Sequence, residues 1–388
     1  MQYNFDKITP REGTNCVKYD LREAVFGNRD VLPMWVADMD FETPDFAREA
    51  VERRAAHPIY GYHFKDKPYF QAIQAWLLRH HQWAVDLDWM SFVPGVVCGF
   101  NMAVMAFTRE GDEIIIQSPV YPPFHSAATG HNRKLVYNSL KVGEQGYEMD
   151  YELLEKQAKT AKMLILCNPH NPVGRCWTRE ELLRVNEICL RNDVLVVSDE
   201  IHCDLVLPGY KHVPYATLNE EAAKHCIVFH AASKTFNLAG LATSTAIIPD
   251  KGLRDTFNQY VHSMEAELGN IFGKVSTQAS MEQGDGWLEQ LLDYVQGNVN
   301  YVSDFLSGHL PKVKFFKPQA TYMMWLDFNG LGFTEEELWQ KMTQEAALGL
   351  NRGKDFGQEG SGFFRINLAC PRATVETAME RLAMTFGV

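Results

Sequence analysis

Four polar side chains whose chemistries could combine in one site follow separate apolar runs of the sequence. They are Tyr121, Asn171, Asp199 and Lys234. A lysine amine can form a Schiff base with an aldehyde, and a carboxylate can keep a ring nitrogen protonated. An aromatic side chain can stack on such a ring, and an amide can hydrogen-bond its hydroxyl oxygen.

A glycine turn could supply a site for a phosphate group. Pro94-Gly95-Val96-Val97 stands directly before a helical stretch that runs from Cys98 to Arg109. The start of a helix offers free backbone N–H groups and the positive end of its dipole to an anion. Together with the four side chains, this turn makes a site for pyridoxal phosphate on chemical grounds alone.

The elements that must position these residues are short buried strands. Four runs are apolar on both faces, as in parallel strands covered by helices: Ile114–Ile116, Met163–Cys167, Val194–Val197 and Ile227–Phe229. Between the second and third runs, Thr178 and Glu181 form a plausible capping box at the start of a helix. Strand, helix and strand in this order predict a mostly parallel α/β sheet, with ligands bound at the carboxyl ends of its strands.

The last hundred residues show a different pattern. Helices are predicted over Trp287–Leu310 and Thr334–Ala347, and strands over Tyr322–Asp327 and Phe363–Asn367. This mixture predicts a smaller α+β domain.

Several motifs occur together in the order expected of fold-type I enzymes that use pyridoxal phosphate. They are Asn168–Gly174, Ser198–His202, Ser233–Gly240 and Phe364–Asn367, with Pro33–Phe41 and Gly61-Tyr62 as narrower markers. The chain resembles the carbon–sulfur β-lyase (cystathionine β-lyase) branch of the class I/II aminotransferase-like family over nearly its whole length. The resemblance implies a large domain over residues 45–285, and a small domain made of residues 1–44 and 286–388.

The resemblance also implies roles for the residues that bind the cofactor. Lys234 resembles the Schiff-base lysine, Asp199 the partner of the pyridine nitrogen and Asn171 the partner of the ring hydroxyl oxygen. Tyr121 is similar to the stacking aromatic residue. The phosphate is expected to contact the remaining candidates, which are Val96, Val97, Ser233 and, from the neighbouring subunit of a homodimer, Tyr62, with Tyr60 as a rival by spacing.

Other positions are expected to contact the substrate. Arg365 matches the arginine that clamps the α-carboxylate, a bidentate task for which lysine is poorly suited. Trp35 and Asp38 are predicted to line the substrate entrance.

Two positions depart from the pattern of many aminotransferases. Ala242 stands where they carry a phosphate-binding arginine, and His202 stands where they often have tyrosine. The phosphate is therefore expected to rely on backbone N–H groups and on the neighbouring subunit. His202 is interpreted as a histidine that supports the cofactor site and not as an acid or base.

The preferred reaction is α,β-elimination from cystathionine or a related S-substituted cysteine, which yields a thiol, pyruvate and ammonia. One alternative is an aminotransferase, which uses the same residues but returns the proton to the cofactor. A second alternative is a cofactor-binding regulatory protein with incidental activity. The sequence leaves open which thiol is the preferred leaving group.

Composition narrows the class of protein. The 388 residues carry a formal net charge of −12, which argues against a nucleic-acid partner. No apolar run is long enough for a membrane span and no secretory signal is seen, so we expect a cytoplasmic protein.

The eight cysteines include no CxxC pair and no HExxH occurs, so reduced cysteines and no metal site are expected. His80 and His81 are predicted at a solvated helix end, and Gly349–Lys354 lacks the spacing of a P-loop.

Overall fold

The computed structural model describes residues 2–64, 67–144 and 146–387 of the chain. A seven-stranded sheet lies at its centre. In spatial order its strands are Met90–Val93, Ser244–Ile247, Cys226–His230, Leu195–Asp199, Ala161–Cys167, Glu113–Ile116 and Lys134–Tyr137. Ser244–Ile247 is antiparallel to both of its neighbours, and all other neighbouring pairs are parallel. The predicted mostly parallel α/β sheet is confirmed, including all four apolar runs.

Helices cover both faces of this sheet. They are Asp45–Ala55, Lys67–His81, Val96–Phe107, Pro123–Thr129, Tyr151–Gln157, Arg179–Arg191, Glu220–Lys224, Lys251–Ser263 and Ile271–Gln283. Two hydrophobic clusters separate the layers, one containing Phe100 and the other Leu182 and Val185. The predicted capping box is present, since Thr178 and Glu181 each accept a hydrogen bond from the other's backbone N–H. A complete cap fixes where the helix begins, and so how it lies on the sheet.

A second, antiparallel sheet follows in the last part of the chain. Its strands are Lys314–Phe315, Met323–Asp327, Phe363–Asn367 and Asn351–Arg352, in that spatial order. The helices around it are Asp285–His309, Glu335–Gln340 and Arg372–Phe386. The helix predicted over Thr334–Ala347 is α-helical only to Gln340, and Lys341–Glu345 continues it as a π-helical turn.

The N-terminal segment is attached to this second sheet region. Its helices are Val17–Asp20 and Arg22–Phe26, and its strand Leu32–Pro33 pairs in parallel with Leu348–Gly349. The remaining strands form the hairpin of Lys141–Gly143 and Gly146–Glu148. The predicted division at residues 45 and 285 stays a prediction. In the part of the chain that the structure describes, no helix has the length and apolar character to cross a membrane.

Candidate active site

One cavity of about 240 Å³ opens at the carboxyl ends of the central strands. It is lined by eight of the residues that the sequence singled out, and these are Val96, Val97, Tyr121, Asn171, Asp199, His202, Ser233 and Lys234. They come from four strand ends and one helix start, because parallel strands direct the loops that follow them to the same edge. Four other predicted residues, Trp35, Asp38, Tyr62 and Arg365, lie outside its lining.

Lys234 lies in the turn after the strand Cys226–His230 and points into the cavity. Its Nζ donates a hydrogen bond of 2.7 Å to the backbone carbonyl of Ala37. Burial lowers the pKa of Lys234 to about 8; the charge of Arg365 acts in the same direction, and those of Asp38 and Asp199 oppose it. A lowered lysine pKa makes the unprotonated amine available near neutral pH, and that form is a nucleophile and a base.

Asp199 is the last residue of its strand and is almost fully buried. Its carboxylate accepts a hydrogen bond of 3.1 Å from the backbone N–H of Ile201. Burial raises the pKa of Asp199 to about 7, although the Ile201 bond and Lys234 act in the other direction. A cationic group bound in the cavity beside this carboxylate would favour its ionised form.

Arg365 is a buried cation whose hydrogen-bond acceptors are all uncharged. Nη1 donates to Oδ1 of Asn171 at 2.8 Å, and Nη2 donates to the Trp35 carbonyl at 2.9 Å and to Oδ1 of Asn351 at 2.6 Å. Nε is buried and has no partner among the described residues. Burial lowers the pKa of Arg365 to about 10. The guanidinium still carries its charge at neutral pH and has N–H groups left for an anion.

Asn171 connects this arginine to the cavity. Its Oδ1 accepts from Arg365, so its amide nitrogen is left as the donor. An amide donor at the cavity wall suits an anionic oxygen on a bound ring.

The helix Val96–Phe107 begins at the wall of the cavity. Gly95 precedes it with φ of 103°, a conformation that a side chain would strain. The first N–H groups of a helix have no partner within the helix, and those of Val96 and Val97 belong to this turn. Ala242 also lines the cavity here, at the position without the expected arginine. This turn therefore offers backbone N–H groups and the positive end of the helix dipole to an anion.

His202 lines the cavity, and Tyr322 packs against it from behind. Their rings meet edge to face with centroids 6.1 Å apart, and Nδ1 of His202 is buried without a partner in the described residues. Burial holds the pKa of His202 well below its usual range, so its ring is neutral. Tyr322 is a residue that sequence reasoning missed; its hydroxyl donates to the Ala37 carbonyl at 2.9 Å.

The segment with Trp35 and Asp38 crosses the site but presents its backbone to it. The Trp35 carbonyl accepts from Arg365, while the indole N–H donates to the Lys18 carbonyl. The Asp38 carboxylate forms an ion pair with Arg11 at 2.6 Å. The structure therefore gives these two side chains anchoring contacts, and it is their neighbour Ala37 that lines the cavity.

Tyr60 and Tyr62 lie on an exposed loop. Tyr62 is 98% exposed, whereas the Tyr60 hydroxyl donates to the Ala55 carbonyl and its ring packs on Phe272. Neither tyrosine lines the cavity of its own chain.

A buried polar cluster supports the Lys234 turn from below. The carboxylate of Asp204 accepts from Thr235 at 2.8 Å and from Trp76 at 3.0 Å, and His81 Nε2 lies 2.7 Å from it. The prediction of a solvated His81 is therefore wrong: its partner comes from a distant part of the chain. Cys203 lies close enough to complete a possible ligand group. The existing hydrogen bonds of Asp204 give this cluster a structural role.

The relationship to known proteins follows this geometry. The family described as "Aminotransferase class I and II" matches residues 29–382. The chain belongs to this family. The predicted family resemblance is thereby confirmed.

Several relatives within the class I and II family are lyases by name. Cystathionine beta-lyase PatB of Bacillus subtilis is 42% identical over 381 residues, which is 98% of each chain. The structure of cystalysin from Treponema denticola, described as containing a pyridoxal 5'-phosphate cofactor, has a TM-score of 0.96 and 33% identity over 99% of both chains. The PLP-bound C–S lyase of Staphylococcus hominis has a TM-score of 0.92 and 31% identity, covering 100% of this chain and 98% of its own.

The cavity fits pyridoxal phosphate, which the cystalysin and Staphylococcus hominis structures contain. A lysine amine, an acid, an amide donor and an aromatic ring converge on it, and a helix start closes one side. The unpartnered Nδ1 of His202 and the uncharged surroundings of Arg365 are polar groups that a bound ligand could satisfy. The donor set thus matches pyridoxal phosphate with an amino acid beside it.

Proposed function

We propose that the protein is a carbon–sulfur β-lyase that depends on pyridoxal 5'-phosphate. It cleaves cystathionine or a related S-substituted cysteine to a thiol, pyruvate and ammonia. The observation that carries this proposal is the buried Arg365, which has no carboxylate partner in the described residues and lies beside the cavity that holds Lys234 and Asp199. The 42% identity to a cystathionine β-lyase supports elimination as the reaction.

The cofactor-binding residues divide by chemistry. Asp199 would pair with the pyridine nitrogen, the amide of Asn171 would donate to the ring hydroxyl oxygen, and the ring of Tyr121 would stack on the cofactor. His202 supports the site from below. The Val96 and Val97 N–H groups and Ser233, which line the cavity, would hold the phosphate. When bound, pyridoxal phosphate supplies an aldehyde carbon for the covalent link to Lys234 and a ring that accepts the electron pair from the substrate Cα.

Three side chains act on the substrate. Arg365 binds the α-carboxylate and so orients the Cα–H bond toward Lys234. The amine of Lys234 removes the Cα proton, which its lowered pKa permits near neutral pH. Burial raises the pKa of Tyr121, so its phenol stays protonated and can donate a hydrogen bond.

Elimination and transamination begin with the same proton transfer, so a product assay must separate them. We expect cystathionine to yield homocysteine, pyruvate and ammonia in equal amounts without a 2-oxo acid, because a thiolate leaves Cβ readily. Thiol, keto-acid and ammonia assays on the purified holoenzyme measure this. A requirement for a 2-oxo acid together with an intact C–S bond would establish the aminotransferase alternative.

We also propose that the site is completed in a homodimer. The loop before the helix Lys67–His81 exposes four large apolar side chains, Ile59, Tyr60, Tyr62 and Phe64. An exposed apolar group of this kind is typical of an interface. With Ala242 in place of an arginine, a phosphate contact from the partner's loop gains importance.

The Tyr62→Phe variant tests this shared site. It is expected to raise the cofactor dissociation constant about tenfold or more, since a hydrogen bond to a charged group is worth roughly 1.5–3 kcal/mol. Tyr60→Phe is the matched control, because its hydroxyl serves the Ala55 carbonyl. Cofactor titration and light scattering measure affinity and mass. A monomer that is saturated with cofactor contradicts the proposal.

A further inference from the structure

Asn351 lies directly across the second sheet from Arg365. The strand Asn351–Arg352 pairs antiparallel with Phe363–Asn367, and Asn351 is opposite Arg365 in the register. Residues opposite each other in this way place their side chains on the same face. Oδ1 of Asn351 accepts from Nη2 of Arg365 at 2.6 Å, the shortest of the three hydrogen bonds to this guanidinium.

The contacts of Nη2 determine which N–H groups of the guanidinium stay free. Its two hydrogens are taken by Asn351 and by the Trp35 carbonyl. Nη1 gives one bond to Asn171, and Nε has no partner among the described residues. Of the five N–H groups that a guanidinium carries, those left over are on Nε and Nη1. Asn351 therefore holds the group in the orientation that leaves these donors for a ligand.

The lack of charge on Asn351 matters as much for Arg365 as the position of its side chain. Arg365 is 3% exposed, and its three acceptors are an amide, a second amide and a backbone carbonyl. An aspartate at position 351 has nearly the same shape but would form an ion pair with the guanidinium. That carboxylate would compete with the carboxylate of the substrate for the same charge.

We propose that Asn351 is a positioning residue that orients Arg365 and, by being uncharged, leaves the charge of Arg365 to the α-carboxylate of the substrate. This inference rests on the proposed function, because it takes Arg365 as the carboxylate clamp. It assigns to Asn351 the selectivity of the site for an α-carboxylate over an uncharged group.

Two variants of the holoenzyme separate orientation from charge. Asn351→Ala removes the acceptor and keeps the charge of Arg365 free, whereas Asn351→Asp keeps an acceptor and neutralises the charge. The probes are S-methyl-L-cysteine and its carboxamide, which differ only in the charge of the carboxyl group. Pyruvate, or its amide, is measured together with methanethiol release, and the absorbance of the bound cofactor reports site integrity.

The carboxylate substrate is expected to reveal the role. Asn351→Asp raises its KM by about 10- to 100-fold, the equivalent of one charge-assisted hydrogen bond, while kcat and the cofactor spectrum change little. The carboxamide is affected much less, so the preference for the carboxylate collapses. Asn351→Ala raises KM by a smaller factor and retains the preference. Asn300→Asp, the same change at an exposed position of the helix Asp285–His309, has no effect.

Different failures point to different errors. Equal losses with both probes in Asn351→Asp would mean a structural role and overturn the inference. A larger KM effect in Asn351→Ala than in Asn351→Asp would overturn the part of the inference that concerns charge. If the aspartate variant does not fold, Asn351→Ala alone decides the orienting role. An unchanged KM in Arg365→Ala would instead remove the clamp from the proposed function. A raised KM in Arg365→Ala with wild-type kinetics in both Asn351 variants would overturn the inference only.

Discussion

Replacing Lys234 with alanine is expected to lower pyruvate release from cystathionine by more than about 10³-fold, since proton transfer by a positioned side chain alone contributes roughly 10²–10⁴-fold. The same substitution removes the amine that anchors the cofactor covalently. Steady-state assays at saturating pyridoxal phosphate measure the loss, so that weaker cofactor binding does not account for it.

Lys234→Arg distinguishes the amine from its charge. Arginine keeps a cation near the Ala37 carbonyl, which Lys234 Nζ contacts at 2.7 Å, but it stays protonated and forms no covalent link. We expect it to be as inactive as the alanine variant, while Lys251→Ala, at an exposed helix start, retains full activity. Borohydride reduction followed by peptide mapping should place the cofactor on Lys234. An adduct on any other lysine contradicts the assignment.

The sequence predicts the elements of the central sheet because burial on both faces leaves a local pattern. A run such as Met163–Cys167 is apolar throughout, and the polar residues that follow it mark the end of the strand. Since parallel strands end at one edge, the residues after four runs could be placed together without knowing the strand order. The capping box at Thr178 is also a local signal, and both of its hydrogen bonds form.

Contacts between distant segments leave no such pattern. Asn351 is recognisable only from its register opposite Arg365, which depends on how two short strands pair. Its surroundings, Gly349–Lys354, drew attention only through an incomplete P-loop pattern. The sequence predicts that Asp38 lines the substrate entrance, but its ion pair with Arg11 depends on a contact with another segment. His81 is buried for a comparable reason, since Asp204 comes to it from another part of the fold.

The end of a helix depends on its surroundings in the same way. Thr334–Ala347 reads as one helix, and its capping box with Glu337 is formed. Beyond Gln340 the chain widens into a π-helical turn, in which Met342 and Thr343 are buried. The pattern of the sequence predicts a helix here, but it does not distinguish an α-helical from a π-helical turn.

The second large effect is expected at Asp199. Asp199→Asn should lower turnover by about 10²–10³-fold, the cost of losing one electrostatic contact of about 3–4 kcal/mol in the transition state. The amide fills the same space and can still accept from the Ile201 N–H, so the strand end should keep its shape. It lacks the negative charge that holds the pyridine nitrogen protonated, and the ring then accepts the electron pair from Cα poorly.

Burial makes Asp199 suited to this pairing and gives the variant a second signature. In the protein alone, burial raises the pKa of its carboxyl to about 7, so a cation beside it shifts the group toward its ionised form at neutral pH. We therefore expect Asp199→Asn to bind the cofactor with an altered absorbance, because the ring nitrogen loses its proton. Asp193→Asn, just before the same strand and exposed, should change neither turnover nor spectrum. If Asp199→Asn turned over cystathionine at nearly the wild-type rate with an unchanged spectrum, another group would have to protonate the ring, and Asp199 would serve only the fold.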